Sequence, residues 1–343
     1  MGKKIAVIVP GMPTGGVRTS VNKLLYGLKR EGFHVELLHH EGTLPLVTLR
    51  DFKKMGRVKY FDSVIYMGSI PLPSSFVADN AFLFVHGFLF HEIMANLKSS
   101  LLKFKLGGIY TLTLWNIAKL IKSIDFYVCH SVTACEANNI FEKYILLPQF
   151  IFPEEIQTYE LFSKPYRTMK SNMTTIVTYG SFASSPRLLP ISYIISLLEK
   201  VSKKLGRKLK VIAIDPRTVR VESHHNVIVE YIKPLPRREF LHLLASADLY
   251  FERCVDEELG NTSVEAGLLG VPVTKLTHPI FLERADYRDE ILQATSAKVL
   301  IDMLTEYIIK LDYWKPYYSK KIREFLITRR NWDHVKTSLV TNL

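Results

Sequence analysis

The run from Glu257 to Gly267, EELGNTSVEAG, sets two carboxylates, Glu257 and Glu265, around a glycine and three helix-capping side chains. Asn261, Thr262 and Ser263 are residue types that accept the orphan N–H groups of a first helical turn, so a helix is expected to begin near Asn261. Those N–H groups and the positive end of the helix dipole suit an anion such as a phosphate. Gly260 lets the backbone come close to it. Neither glutamate suits phosphate, because like charges repel, but both accept hydrogen bonds from hydroxyls. A ligand with a diphosphate in the middle and a hydroxyl-bearing ring at each end satisfies all three parts, and that ligand is a nucleotide sugar. The plain alternative is a capped helix with a surface glutamate, since glutamates at this spacing are common in any chain of this size. His86 closes the apolar run AFLFVHG and is a second candidate, as a reacting-centre histidine or as a satisfied core one. Gly15-Gly16 follows another apolar run and, taken alone, is a turn.

The elements that must position these residues alternate regularly. Apolar runs at 5–10, 34–40, 63–68, 81–87, 125–131 and 144–150 read as strands. Residues 17–32 have helical spacing and end at Gly32. The second half repeats the scheme, with strands at 175–181, 208–214, 227–232, 248–254 and 271–276 and helices at 190–206 and 237–247. Strands separated by helices mean parallel β-α-β units, and strands apolar on both faces mean sheets covered by helices. The expected fold is α/β with two Rossmann-like, doubly wound parallel-sheet domains facing a central cleft. The expected division is an N-terminal domain over 1–155, a C-terminal nucleotide-sugar domain over 173–305, and a helical segment over 306–343 that packs back on the N-terminal domain. The polar stretch 151–172, with Pro153 and Pro165, carries the boundary.

The chain has 343 residues, too many for one ordinary core, and a net charge of +12. Hydrophobic residues make up 48%, yet no run reaches the roughly 18 apolar residues that a membrane span needs. The apolar start over 5–9 is too short for a signal sequence and reads as the first strand. Cys129, Cys135 and Cys254 have neither metal-site spacing nor a disulfide framework, so they read as buried small hydrophobes in a reducing, cytoplasmic compartment.

The stretch ADLYFERCVDEELGNTSVEAGLLGVPV (247–273) resembles the signature of family 4 retaining glycosyltransferases of GT-B fold. Glu257, Gly260, Glu265, Ala266, Gly270, Pro272 and Val273 fall in register with it. The resemblance extends to 10–35, FVHGF (84–88), 125–134, 147–150 and 227–248, and so to most of the chain. It implies that Glu265 binds the ribose hydroxyls, Glu257 holds the donor sugar, and the amides near Asn261, Thr262 and Ser263 hold the diphosphate. It implies that Gly15 and Gly16 cover the same phosphates, that His86 stands at the reacting centre, and that the loop at Lys233 lies near the base. Gly180 is the glycine after the second domain's first strand. The family often places an Arg just after that glycine and a Lys a few residues on. Here Ser181 and Pro186 fall near those positions, Arg187 comes one residue later, and Arg217 and Arg253 are further candidate cations.

The implied activity is transfer of a sugar from a nucleotide-sugar donor to an acceptor hydroxyl with retention of configuration. The chain has no Asp-x-Asp pair, so neither metal nor other cofactor is expected. A GT-B epimerase or hydrolase is the alternative enzyme. A basic nucleic-acid-binding protein ranks last, for want of a helix-turn-helix, zinc or RNA-recognition motif, and no nucleic-acid partner is expected. Over 93–124 there is no acidic residue until Asp125, and five lysines alternate with apolar and aromatic side chains. Such a segment lies on an anionic membrane surface or covers a core with snorkelling lysines. The acceptor is a glycan, a lipid or a protein, and a peripheral membrane position goes with the lipid.

Overall fold

The computed structural model describes residues 2–10, 15–40, 59–67, 76–85, 124–136, 140, 142–163, 173–179, 188–255, 258–287 and 289–343. The chain divides into two compact units, Met1–Pro148 with Val335–Leu343, and Gln149–His334.

In the first unit come β1 (Lys4–Pro10), α1 (Gly15–Arg30), β2 (His34–His40), β3 (Lys59–Met67), β4 (Phe76–Val85), β5 (Phe126–Cys129), α2 (Val132–Glu136) and β6 (Tyr144–Leu146). The six strands form one parallel sheet in the order β2-β1-β3-β4-β5-β6. β1 shows why: Ile5 to Val9 are all buried, as a strand covered on both faces must be. The chain end closes this unit. Ser63 donates to the carbonyl of Leu343 at 3.0 Å, and Lys336 pairs with Glu31 at 2.8 Å. One expectation is corrected here. Cys129 and Cys135 are joined by a disulfide between the end of β5 and α2, with Cα atoms 5.9 Å apart. The turn from β5 into α2 brings the two side chains together, which a spacing rule for disulfide frameworks does not detect. Cys254 is not part of this disulfide.

The second unit runs α3 (Pro153–Ser163), β7 (Thr174–Tyr179), α4 (Ile191–Leu205), β8 (Leu209–Ile214), β9 (Arg220–His224), β10 (Val227–Ile232), α5 (Arg237–Ser246), β11 (Leu249–Glu252), α6 (Asn261–Leu268), β12 (Val273–Leu276), α7 (Pro279–Leu282), β13 (Leu292–Ala294), α8 (Ala297–Ile309), α9 (Leu311–Arg329) and α10 (Trp332–Val335); α11 (Thr337–Asn342) lies in the returning tail. Its sheet order is β13-β12-β11-β7-β8-β10-β9, parallel except for β9, which pairs antiparallel with β10. Leaving β9 aside and counting strands in sequence order, this is the 3-2-1-4-5-6 order of dinucleotide-binding folds. The order reverses between β7 and β11, and ligands of such sheets bind beyond the strand ends at that reversal.

Local sequence explains the helices that frame this edge. In α4 the apolar stripe Ile194, Leu197, Leu198 and Val201 is buried, and the helix stops at Gly206 in the left-handed conformation, φ 62°. α3 forms inside the stretch expected to be a boundary. Pro153 suits a first helical position, and the Glu155 side chain accepts the Phe152 N–H at 2.9 Å. The division between units falls at Pro148 and Gln149, so α3 counts with the second unit. Of the segment from 306, the residues through His334 count with the second unit and Val335–Leu343 with the first.

Candidate functional site

The site builds up from the end of β11. Glu252, its last residue, is buried, and its carboxylate is saturated by short-range donors. Oε1 accepts the N–H of Arg253 at 2.7 Å and of Cys254 at 3.0 Å, and Oε2 accepts the Ser263 hydroxyl at 2.6 Å. This ties the strand end to the first turn of α6. It also accounts for Gly260, which precedes α6 with φ −63° and needs no special backbone freedom. A Cβ there would lie 2.8 Å from Glu252 Oε2. The glycine makes room for a carboxylate.

α6 begins at Asn261, as its capping residues lead one to expect. In the first turn Ser263 is buried, and Asn261 and Thr262 are half-buried. Ser263 is spent on Glu252, and Thr262 engages the hydroxyls of Tyr179 and Tyr250. Burial raises the pKa of both tyrosines, which favours their neutral form. The capability for an anion therefore lies in the main-chain N–H groups of the first turn, which precede the first i→i−4 bond, Val264 N–H to Gly260 O at 3.1 Å.

Glu265 is buried one turn into α6 and ion-paired: Arg237 Nη1 donates to its Oε1 at 2.7 Å. Arg237 opens α5, and its Nη2 donates to the Tyr159 hydroxyl of α3 at 2.9 Å. Burial works to lower the Arg237 pKa, but Glu265 and Tyr159 outweigh it, and the net direction is upward. Beneath the same loop, Lys275 of β12 is wholly buried. It stands in register with Glu252 and donates to the carbonyl of Glu258 at 2.8 Å and the hydroxyl of Tyr287 at 3.1 Å.

The structure thus brings Gly260, Asn261, Thr262, Ser263 and Glu265 together at the carboxyl edge of the second sheet. Lys233 is exposed, one residue past β10 and four before Arg237. In the other unit, Gly15 and Gly16 are the first two residues of α1. His86, Gly180, Arg187 and Glu257 lie outside the described residues, as does nearly all of 93–124. Sequence reasoning missed Glu252, Arg237, Tyr159 and Lys275. Two carried a signal: a charged residue within the apolar strand LYFE, and an arginine in a first helical turn, where the dipole disfavours it.

With the two doubly wound sheets, the chain has the GT-B architecture of nucleotide-sugar glycosyltransferases. Among solved structures of this fold, it is similar to WaaG, a glycosyltransferase involved in lipopolysaccharide biosynthesis, with 16% identity over 98% of both chains and a TM-score of 0.58. An α-glucosyltransferase in complex with UDP and a 13-mer DNA matches over 99% of both chains at 12% identity and a TM-score of 0.67. HepE from Anabaena, in complex with UDP and glucose, matches over 99% of both at 10% identity and 0.57. No protein-family model matches the chain, and no curated protein matches it by sequence.

Proposed function

We propose that this protein is a retaining, metal-independent glycosyltransferase that moves a sugar from a nucleotide-diphosphate donor to an acceptor hydroxyl. The observation that carries this is the placing of Gly260, the α6 start and buried Glu265 beside the β7–β11 reversal of a nucleotide-binding sheet. The enzymes that share the fold over nearly the whole chain lend support, and two of those named bind UDP. A UDP-sugar is therefore the first donor to try. The absence of an Asp-x-Asp pair in the sequence supports metal independence.

In this reading Glu265 accepts hydrogen bonds from the ribose, the first-turn amides of α6 hold the diphosphate, and Glu257 holds the donor sugar. The bond from the sugar's anomeric carbon to the phosphate oxygen breaks, negative charge gathers on the leaving diphosphate, and the acceptor oxygen forms its bond on the same face. The acceptor's proton leaves with the diphosphate. The protein's contribution is positioning and stabilisation of that charge, with His86 near the reacting carbon. On its composition, we assign 93–124 to an anionic membrane surface, which suits a lipid-linked acceptor.

The test is incubation with a panel of nucleotide sugars and candidate acceptors, with transferred and free sugar both quantified. Transfer with the anomeric configuration kept supports the reading. Free sugar alone points to a hydrolase, and an altered donor sugar to an epimerase.

A further inference from the structure

The charge that gathers on a leaving diphosphate has to meet a cation, and Ser181 and Pro186 stand where a resembling enzyme carries its pair. The sheet order directs the search to the β7–β11 reversal. Arg253 lies across it. It follows the last residue of β11, and its Nη1 donates at 3.1 Å to the carbonyl of Tyr179, the last residue of β7. Its Nε donates at 2.8 Å to the carbonyl of Leu189. The main chain reinforces the grip: Leu189 N–H donates to the Arg253 carbonyl at 2.9 Å, and Leu188 bridges to Cys254. One residue therefore holds both ends of the segment leading out of β7.

Arg253 as a residue is only 7% exposed, and burial lowers its pKa, so its charge is costly where it stands. Among the described residues both its hydrogen-bond acceptors are neutral carbonyls, and none of its ion pairs is with a described carboxylate. The adjacent Glu252 carboxylate is occupied by two amides and a hydroxyl. Among the described residues, two of the Arg253 side-chain N–H groups have acceptors, and the others offer a ligand the fork geometry that matches phosphate oxygens. Tyr179 links this point to the α6 start, because its carbonyl takes Arg253 and its hydroxyl takes Thr262. Arg217, by contrast, is exposed on the surface.

We propose that Arg253 is the cation that holds the donor's diphosphate at the β7–β11 reversal, completing the anion site begun by the amides of α6. The assignment rests on the donor reading above.

Its test compares wild type, Arg253→Met, Arg253→Lys and Arg187→Met for binding of UDP, GDP, ADP and dTDP, the matching monophosphates and nucleosides, and inorganic pyrophosphate. In Arg253→Met the extra affinity of the diphosphate over the monophosphate should fall roughly 10- to 100-fold, with nucleoside affinity within about threefold of wild type. Arg253→Lys, a point charge without the fork, should fall between. Pyrophosphate should compete with the nucleoside diphosphate in wild type and not in Arg253→Met. An unchanged diphosphate increment in Arg253→Met, or its loss in Arg187→Met instead, would overturn the assignment. So would an equal weakening of nucleoside and diphosphate in Arg253→Lys, the mark of a clamp only. If wild type bound pyrophosphate through Arg253 but no nucleotide, the anion site would stand and the donor reading would fall.

Discussion

Arg237 and Glu265 form an ion pair across two helices, Nη1 to Oε1 at 2.7 Å, and Tyr159 of a third helix holds the other end of the guanidinium. The carboxylate expected to read a ribose is therefore already paired and aimed by a partner. Neither α5 nor α3 belongs to the motif that singled Glu265 out. A ribose at Glu265 meets a pair, and the strength of its binding depends on Arg237 as well.

Glu265→Ala and Arg237→Ala should each weaken nucleotide binding, the first by about tenfold or more. Arg237→Ala also removes the ion pair of a buried carboxylate, at a cost of about 1–2 kcal/mol once the half-exposed position of the arginine is allowed for. Glu257→Ala should mainly weaken the sugar contribution, seen as a smaller gap between nucleotide-sugar and nucleotide affinity. Calorimetric titration decides this: equal nucleotide affinity in Glu265→Ala and wild type would sink the division of roles.

Gly260→Ala tests whether the Glu252 carboxylate is fixed. The new Cβ falls 2.8 Å from Oε2, and three hydrogen bonds prevent that oxygen from yielding freely. A loss of about 1–3 kcal/mol is expected, with weaker diphosphate binding because the α6 start shifts. A variant of unchanged melting temperature and affinity would show that Glu252 moves aside at no cost.

Gly267→Val tests the crossing of α6 and α9. A Cβ at Gly267 already lies 2.7 Å from Leu326 and 2.8 Å from Ile322, both fully buried. Alanine there gains roughly 1 kcal/mol of helix propensity against an overpacking cost of about 1–3 kcal/mol. Valine should be clearly worse than alanine in denaturant unfolding. Equal stability of the two would mean that the helices separate freely.

Alkaline pH should unfold the protein. Burial pushes the Tyr66 hydroxyl up to about 12, and it also raises Tyr159, Tyr179, Tyr250 and Tyr307. Raised folded-state values favour the neutral form, so this stability is complete below the unfolded value near pH 10 and is lost as pH climbs through the folded values. For Tyr66 alone that is roughly 3 kcal/mol. Melting temperatures followed together with tyrosinate absorbance should stay level up to about pH 10 and fall beyond it. Full tyrosinate formation near pH 10 with the fold intact would contradict the burial of these rings.

The strands were legible because continuous apolar runs are broken by glycine or polar turns; 34–40 and 227–232 match end to end. The α6 start was legible from its capping residues, and the α4 stop from Gly206. β9 was not, since an edge hairpin strand of exposed Arg220 and Val221 has no apolar run to find. Nor was α3, whose helix depends on its cap and on packing against α5 and α6 rather than on a strong apolar stripe. The partners of Glu265 were invisible for a different reason. Arg237 lies 28 residues before it, and Tyr159 a further 78, distances that only the sheet order brings together.

The central claim, that the carboxyl edge of the second sheet binds a nucleotide sugar, is tested most directly by thermal unfolding with UDP, GDP, ADP and dTDP sugars. At least one should raise the melting temperature by roughly 5 °C at a hundredfold excess over its dissociation constant, with the shift greatly reduced in Glu265→Ala. No shift with any donor at millimolar concentration, in a protein that unfolds cooperatively, would contradict it.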